Sequence, residues 1–213
     1  MSMTRERFGA LWNRCLVDRA VAQPGPVYEE LVQRYSEPHR HYHTCNHINH
    51  CLKQHDLATD FMDDPDAVEM GLWFHDAIYD PYASDNELRS AKLFANLVDD
   101  HVPPAFRRSV YDLILVTVHP EQPKRLDEQF MVDIDLSSFG LAWEAFKRDS
   151  NAVRAEKPHV SDEQFFRGQV KFLQSLLDRP TFFFTDFFRA RYETTARSNI
   201  TRYIEDLLVQ GYG

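Results

Sequence analysis

Apolar residues recur three and four positions apart along most of this chain, and that periodicity confines it to helices. Phe8, Leu11, Trp12, Cys15 and Leu16, with Arg19 beside them, mark one face of a first helix over 3–22. The chain has only 7 glycines, and its β-branched residues are not gathered into alternating runs, so strands have little to build on. Gln23-Pro24-Gly25-Pro26 is expected to stop the first helix, and a short second one follows over 27–35. After a break at 36–39, Thr44 can cap a helix running to about Met62. Further helices are expected over 67–78, 86–101, 106–119, 143–154, 161–177 and 185–209, with a polar loop over 121–128. The run LILVTV at 113–118 has strand propensity, but its neighbours are helical and it has no strand partner. No composition shift marks a linker. The expectation is an all-α fold of about nine or ten helices in a single domain, 1–213.

The net charge of −9 argues against a general nucleic-acid binder, which carries a basic face. It does not exclude a small anionic substrate, because a bound cation can reverse the potential within one pocket. Cys15, Cys45 and Cys51 have no zinc-finger spacing and read as reduced thiols. The start, MSMTRERFGALW, lacks the apolar core of a signal peptide. No stretch approaches the ~20 apolar residues of a membrane helix. A cytoplasmic protein without membrane contact is expected. The aromatic content, including Phe182 to Phe184 and Phe187-Phe188, would serve a homodimer surface or a core, and the core is preferred.

The chemistry is concentrated between His39 and Asp80, which hold seven of the 10 histidines. His75-Asp76 closes the apolar run Gly71-Leu72-Trp73-Phe74, and a buried charged dipeptide is costly unless something compensates it. A metal ion does so, using neutral imidazole and ionised carboxylate as ligands. His43 and His47 are four apart and are expected on one helix face, with His50 three further along. His75 and Asp76 come from a second helix, and Asp133 and Asp135 follow in an apolar setting. A His/His/Asp/Asp set suits Mn²⁺, Fe²⁺, Co²⁺, Ni²⁺ or Zn²⁺, with Mg²⁺ as a further candidate and one or two ions per chain. The residues themselves leave open His43 against His47 and Asp133 against Asp135.

The pattern His47, His75-Asp76, Asp135 resembles the H…HD…D signature of the HD-domain metal-dependent phosphohydrolase superfamily. Tyr35-Ser36-Glu37-Pro38-His39-Arg40-His41-Tyr42-His43, Trp73 to Pro81, Asp85-Asn86-Glu87, Asp133-Ile134-Asp135-Leu136 and Tyr192 to Asn199 are similar to runs of its uncharacterised predicted-hydrolase branch. The resemblance implies an HD-like helical bundle with His47, His75, Asp76 and Asp135 as metal ligands. It also implies hydrolysis of a phosphate ester or anhydride by a metal-activated water, on a nucleotide or other small phosphorylated substrate. Asp80, four residues after Asp76, and Glu87 are candidates beside Asp76 for general base or for orienting the water. His43, Arg40, Lys92 and His119 are candidates for holding the substrate. Glu193 and Arg197, an i,i+4 pair, read first as a helix salt bridge. Two rival functions are an HD-fold di-iron oxygenase, for which His119 is the one well-placed spare ligand, and a non-catalytic nucleotide-binding module stabilised by its metal.

Overall fold

The computed structural model describes residues 3–17, 23–118 and 122–213. Among the described residues there are ten α-helices and no strand, so the chain is all-α as its periodicity predicts. No helix among them is long and apolar enough to cross a membrane. The chain divides into two compact units, Met1–Asp135 and Leu136–Gly213.

The first unit is built from α1 (Arg5–Cys15), α2 (Pro24–Arg34), α3 (Cys45–Ala58), α4 (Pro65–Phe74), α5 (Asn86–Val98) and α6 (Pro104–Val116), and is closed by α7 (Leu126–Leu136). Helix α4 is its axis. Every residue from Ala67 to Phe74 is buried, where a soluble helix normally keeps one polar face. Burying side chains such as Leu72 and Phe74 contributes roughly 1.5–3 kcal/mol each. Phe8 of α1 meets Trp73 edge-on, with ring centroids 5.0 Å apart. A Cβ at Gly71 would stand 3.4 Å from Met131 Sδ and 3.5 Å from Leu113 Cβ, so α6 and α7 both pack close against α4 there.

The one acid in that buried stretch, Glu69, is matched rather than isolated. Arg7 donates to it from Nε at 2.7 Å and grips Asp56 of α3 with both terminal nitrogens at 2.9 and 2.7 Å. One guanidinium thus joins α1, α3 and α4, the arrangement a buried carboxylate requires.

Several boundaries differ from expectation, three of them for a physical reason visible in the structure. Helix α2 begins at Pro24, inside the segment read as a stop, because prolines in a first turn sacrifice no helical hydrogen bond. A Cβ at Gly25 would come within 2.5 Å only of Arg5 Nη2, the far end of a flexible, exposed side chain that can move aside. Helix α7 starts at Leu126 within the expected polar loop, its first turn held by Glu128 accepting from the Lys124 and Arg125 N–H groups at 2.8 and 3.0 Å. Helix α4 stops at Phe74 rather than near Ile78, for a reason that belongs to the site. The run at 113–118 is helical as far as Val116. Helix α1 ends at Cys15, with Leu16 extended, short of the expected end at 22; residues 18–22 lie outside the described residues.

The second unit holds a 3₁₀ turn (Ser137–Gly140), α8 (Trp143–Ala155), α9 (Asp162–Leu177) and α10 (Asp186–Val209). Ser161 and Thr185 cap α9 and α10, accepting from Gln164 N and Phe188 N. Its core is aromatic: Phe182, Phe183 and Phe188 are fully buried, as the core reading of this run requires. Phe139 packs on Phe182 at 5.5 Å and Phe146 on Tyr203 at 5.6 Å. Asn199 donates to the Phe139 and Leu141 carbonyls at 2.9 and 2.8 Å, fastening the 3₁₀ turn to α10. Glu193 accepts from the Phe182 and Phe183 N–H groups and from Arg197 Nε. The Glu193–Arg197 pair is therefore structural.

Candidate metal centre

Three separate parts of the first unit bring their side chains to one point. Thr44 caps α3 by accepting from Asn46 N, so His47 is the third residue of that helix. It points inward with Ile48, Cys51 and Leu52. His75 is the C-cap of α4, and Asp76 lies in the turn just beyond. Asp135 stands in the last turn of α7. His47, His75 and Asp135 form a buried cluster that could hold a metal ion. Asp76 belongs to it by distance.

The donor atoms stand at the spacing of a coordination shell. His47 Nε2 is 3.2 Å from His75 Nε2, 3.1 Å from Asp135 Oδ1 and 3.4 Å from Asp76 Oδ2. His75 Nε2 is 3.0 Å from Asp76 Oδ2 and 3.5 Å from Asp135 Oδ1. Ligands about 2.1 Å from a common ion are separated by about 3.0 Å at right angles and about 3.4 Å at tetrahedral angles. The His75 ring is held for that role, because its Nδ1–H donates to the Leu72 carbonyl at 3.0 Å and Nε2 faces the cluster. The imidazoles retain 2% and 1% exposure, the carboxylates of Asp76 and Asp135 14% and 16%. The cluster therefore opens on its carboxylate side.

Its electrostatics favour a cation. Burial works against a charged His75, but the Asp76 and Asp135 carboxylates outweigh it and raise the imidazole well above its ordinary range. Burial likewise pushes Asp76 up, yet His75, His43 and His47 together hold it well below the usual carboxylate range. Carboxylates that stabilise a proton at His75 Nε2 stabilise a metal ion in its place. Burial, reinforced by His47 and Lys53, pushes the neighbouring His50 down to about 4. Cys51, one turn after His47, has its Sγ 3.7 Å from His47 Nε2; burial raises its thiol well above the ordinary value, so it packs there as a neutral group.

The remaining expected site residues are placed as follows. His43 precedes α3, so it does not share a helix face with His47. It stacks on Tyr79 at 4.3 Å, and its ring centroid lies 6.1 Å from that of His47. Arg40 is buried, with its donors directed at Glu37 and at backbone carbonyls, and is not a phosphate contact. Asp80 is not one helical turn beyond Asp76, because α4 has already ended. It shapes a turn instead, accepting from Tyr82 N at 3.0 Å and donating from its own N–H to Asn86 Oδ1 at 3.0 Å. Glu87 is half-buried in the first turn of α5 and Lys92 is exposed on the same helix; neither belongs to the cluster. Asp133 is buried on α7, but it is Asp135 that reaches His47 and His75. His119 lies outside the described residues.

The sequence reading missed Tyr42 and Tyr79 as walls of the site, with Tyr42 4.8 Å from the His47 ring, and Cys51 as its floor. For Cys51 the signal was its place four residues after His47 on α3, whereas Tyr42 and Tyr79 lie outside the helices and no spacing points to them. Comparisons with family models, with curated proteins and with solved structures give no match.

Proposed function

We propose that this protein is a metal-dependent phosphohydrolase of the HD type, acting on a nucleotide or other small phosphorylated molecule. The observation that carries the reading is the convergence of four donor atoms, two imidazole and two carboxylate, at 3.0–3.5 Å from three elements. His47, His75, Asp76 and Asp135 would hold the ion, and the mixed nitrogen/oxygen set suits Mn²⁺, Fe²⁺, Co²⁺, Ni²⁺ or Zn²⁺. A divalent ion there supplies Lewis acidity toward a phosphoryl oxygen and lowers the pKa of a water toward neutrality. Asp76 and Asp135 line the open side, where a carboxylate can accept a proton from the attacking water. His43, stacked on Tyr79 beside the cluster, would be the candidate to hydrogen-bond a phosphoryl oxygen or the leaving group.

The test is metal analysis of the purified protein, followed by a panel of phosphomonoesters, phosphodiesters and nucleoside triphosphates after loading with each ion. About one transition metal per chain, with phosphate release abolished in Asp76→Ala, supports the reading. Two irons per chain without phosphate release would transfer the case to the di-iron oxygenase. A protein that takes up no ion after loading would refute the ligand set.

A further inference from the structure

The residues 35–43 and 73–81 are the two runs that most strongly mark this sequence, and the four donor atoms occupy little of either. What joins them is Arg40. Its side chain is fully buried, and four of its five N–H groups have protein acceptors. Nη1 donates to the His43 carbonyl at 3.1 Å and to the Asp76 carbonyl at 2.7 Å. Nη2 donates to the Ala77 carbonyl at 3.0 Å, and Nε to Glu37 Oε2 at 3.0 Å. The rings of Tyr35 and Tyr79 lie 5.3 and 5.5 Å from its guanidinium carbon.

These bonds explain why α4 ends where it does. Past Phe74 the regular ladder is lost: Ala77 N turns back to the Phe74 carbonyl at 2.9 Å, and Ile78 N is taken by Ser90 Oγ at 2.9 Å. The Asp76 and Ala77 carbonyls would be left without helical partners, and Arg40 takes both. The same Nη1 also holds the carbonyl immediately before the Thr44 cap of α3. One guanidinium therefore binds the segment leading into the His47 helix to the segment that carries His75 and Asp76.

We propose that Arg40 is a positioning residue for the metal centre: it sets the distance between the His47 donor and the His75/Asp76 donors, and hence the affinity for the ion. This rests on the metal reading above. A planar fork meeting three carbonyls at fixed angles is what arginine provides and lysine cannot. Supporting groups around metal ligands typically change affinity 10–100-fold when altered.

The test is calorimetric titration of Mn²⁺ into metal-stripped wild type, Arg40→Lys and Arg7→Lys, with circular dichroism and thermal melts of each. Arg7 is an equally committed arginine, but its partners are the Asp56 and Glu69 side chains, none of the four donors and no carbonyl beside them. The expected result is a Kd weakened about 10–100-fold in Arg40→Lys, with helical content retained, while Arg7→Lys lowers the melting temperature without changing the Kd. An Arg40→Lys Kd within about threefold of wild type, or equal weakening in Arg7→Lys, overturns the proposal, because the range expected for such support begins at about tenfold. Should Arg40→Lys fail to fold, Glu37→Ala decides: it removes the acceptor that orients Nε, and an unchanged Kd in that variant overturns the proposal. Wild type that binds no Mn²⁺ or other divalent ion refutes the metal reading itself, whereas wild type and Arg40→Lys binding alike refutes only the role of Arg40.

Discussion

Replacing Tyr35 by phenylalanine removes one oxygen from the interior and nothing else. That oxygen donates to the Trp73 carbonyl at 2.9 Å, and both residues are buried, with 1% and 0% of their surface exposed. In a continuing helix the Trp73 carbonyl would receive the Ala77 N–H, but that group bonds Phe74 O instead. The variant therefore leaves the buried Trp73 carbonyl without its donor and the Asp76 backbone N–H without this acceptor, while keeping the packing of the ring. The loss of a typical hydrogen bond is about 1 kcal/mol, and an orphaned buried acceptor costs about 1–3 kcal/mol. We expect a destabilisation of about 2 kcal/mol, which for a chain of this size lowers the melting temperature by about 4–8 °C. Urea denaturation followed by circular dichroism measures it, with Tyr82→Phe as the control, since Tyr82 is 73% exposed. A loss for Tyr35→Phe under ~0.5 kcal/mol, the range of ordinary surface changes, would refute the claim that this hydroxyl completes the end of α4.

Gly140→Ala should destabilise by about 1–3 kcal/mol, because the new Cβ would stand 2.5 Å from Tyr192 Cβ, an atom fixed to the α10 backbone; an unchanged denaturation midpoint would contradict the close approach. Burial pushes the Glu193 carboxyl up, but the Phe182 and Phe183 N–H groups and Arg197 hold it below its ordinary value. Its stabilising contribution is thus complete above the unfolded value of about 4.3 and disappears as pH falls through the lower folded value. Acid unfolding of Glu193→Gln should accordingly show a shallower pH dependence in that window, and an identical acid limb would rule the contribution out. Burial raises the Cys15 thiol to about 12 and Cys51 well above the ordinary range, while Cys45 is half-buried. A thiol reagent applied to the folded protein should therefore modify Cys45 first, as mass mapping of the labelled peptide would show, and rapid labelling of Cys51 would be incompatible with its burial beside His47.

Where local pattern and tertiary structure agree, the sequence was legible. Thr44, Ser161 and Thr185 sit next to apolar periodicities, and α3, α9 and α10 begin immediately after them. The prolines at 24 and 26 misled because the same residue breaks a helix interior and suits a first turn. The end of α4 could not be read locally, since what ends it is Arg40, more than thirty residues upstream. That one bond pattern also removed two expected site residues. Arg40 became a structural tie, and Asp80, expected one turn along a helix that has stopped, became a turn former. Asp133 and Asp135 lie about 200° apart around α7, so only one can face His47. Both are flanked by apolar residues, and composition around them does not say which.

His75 ends α4 and Asp135 sits in the last turn of α7, so two helices point their carbonyl ends at the same spot that holds two carboxylates. Helix C-termini carry partial negative charge, equivalent to roughly half an elementary charge each. On the phosphohydrolase reading this dictates a sequence of events. The two carboxylates and these carbonyl ends favour a cation, while the first turn of α3 at His47 and the Arg40 guanidinium at the end of α4 offset part of that field, so an ion would be expected to bind before an anionic substrate. On that reading the carboxylates that hold the ion would themselves resist a phosphate until the ion had neutralised them.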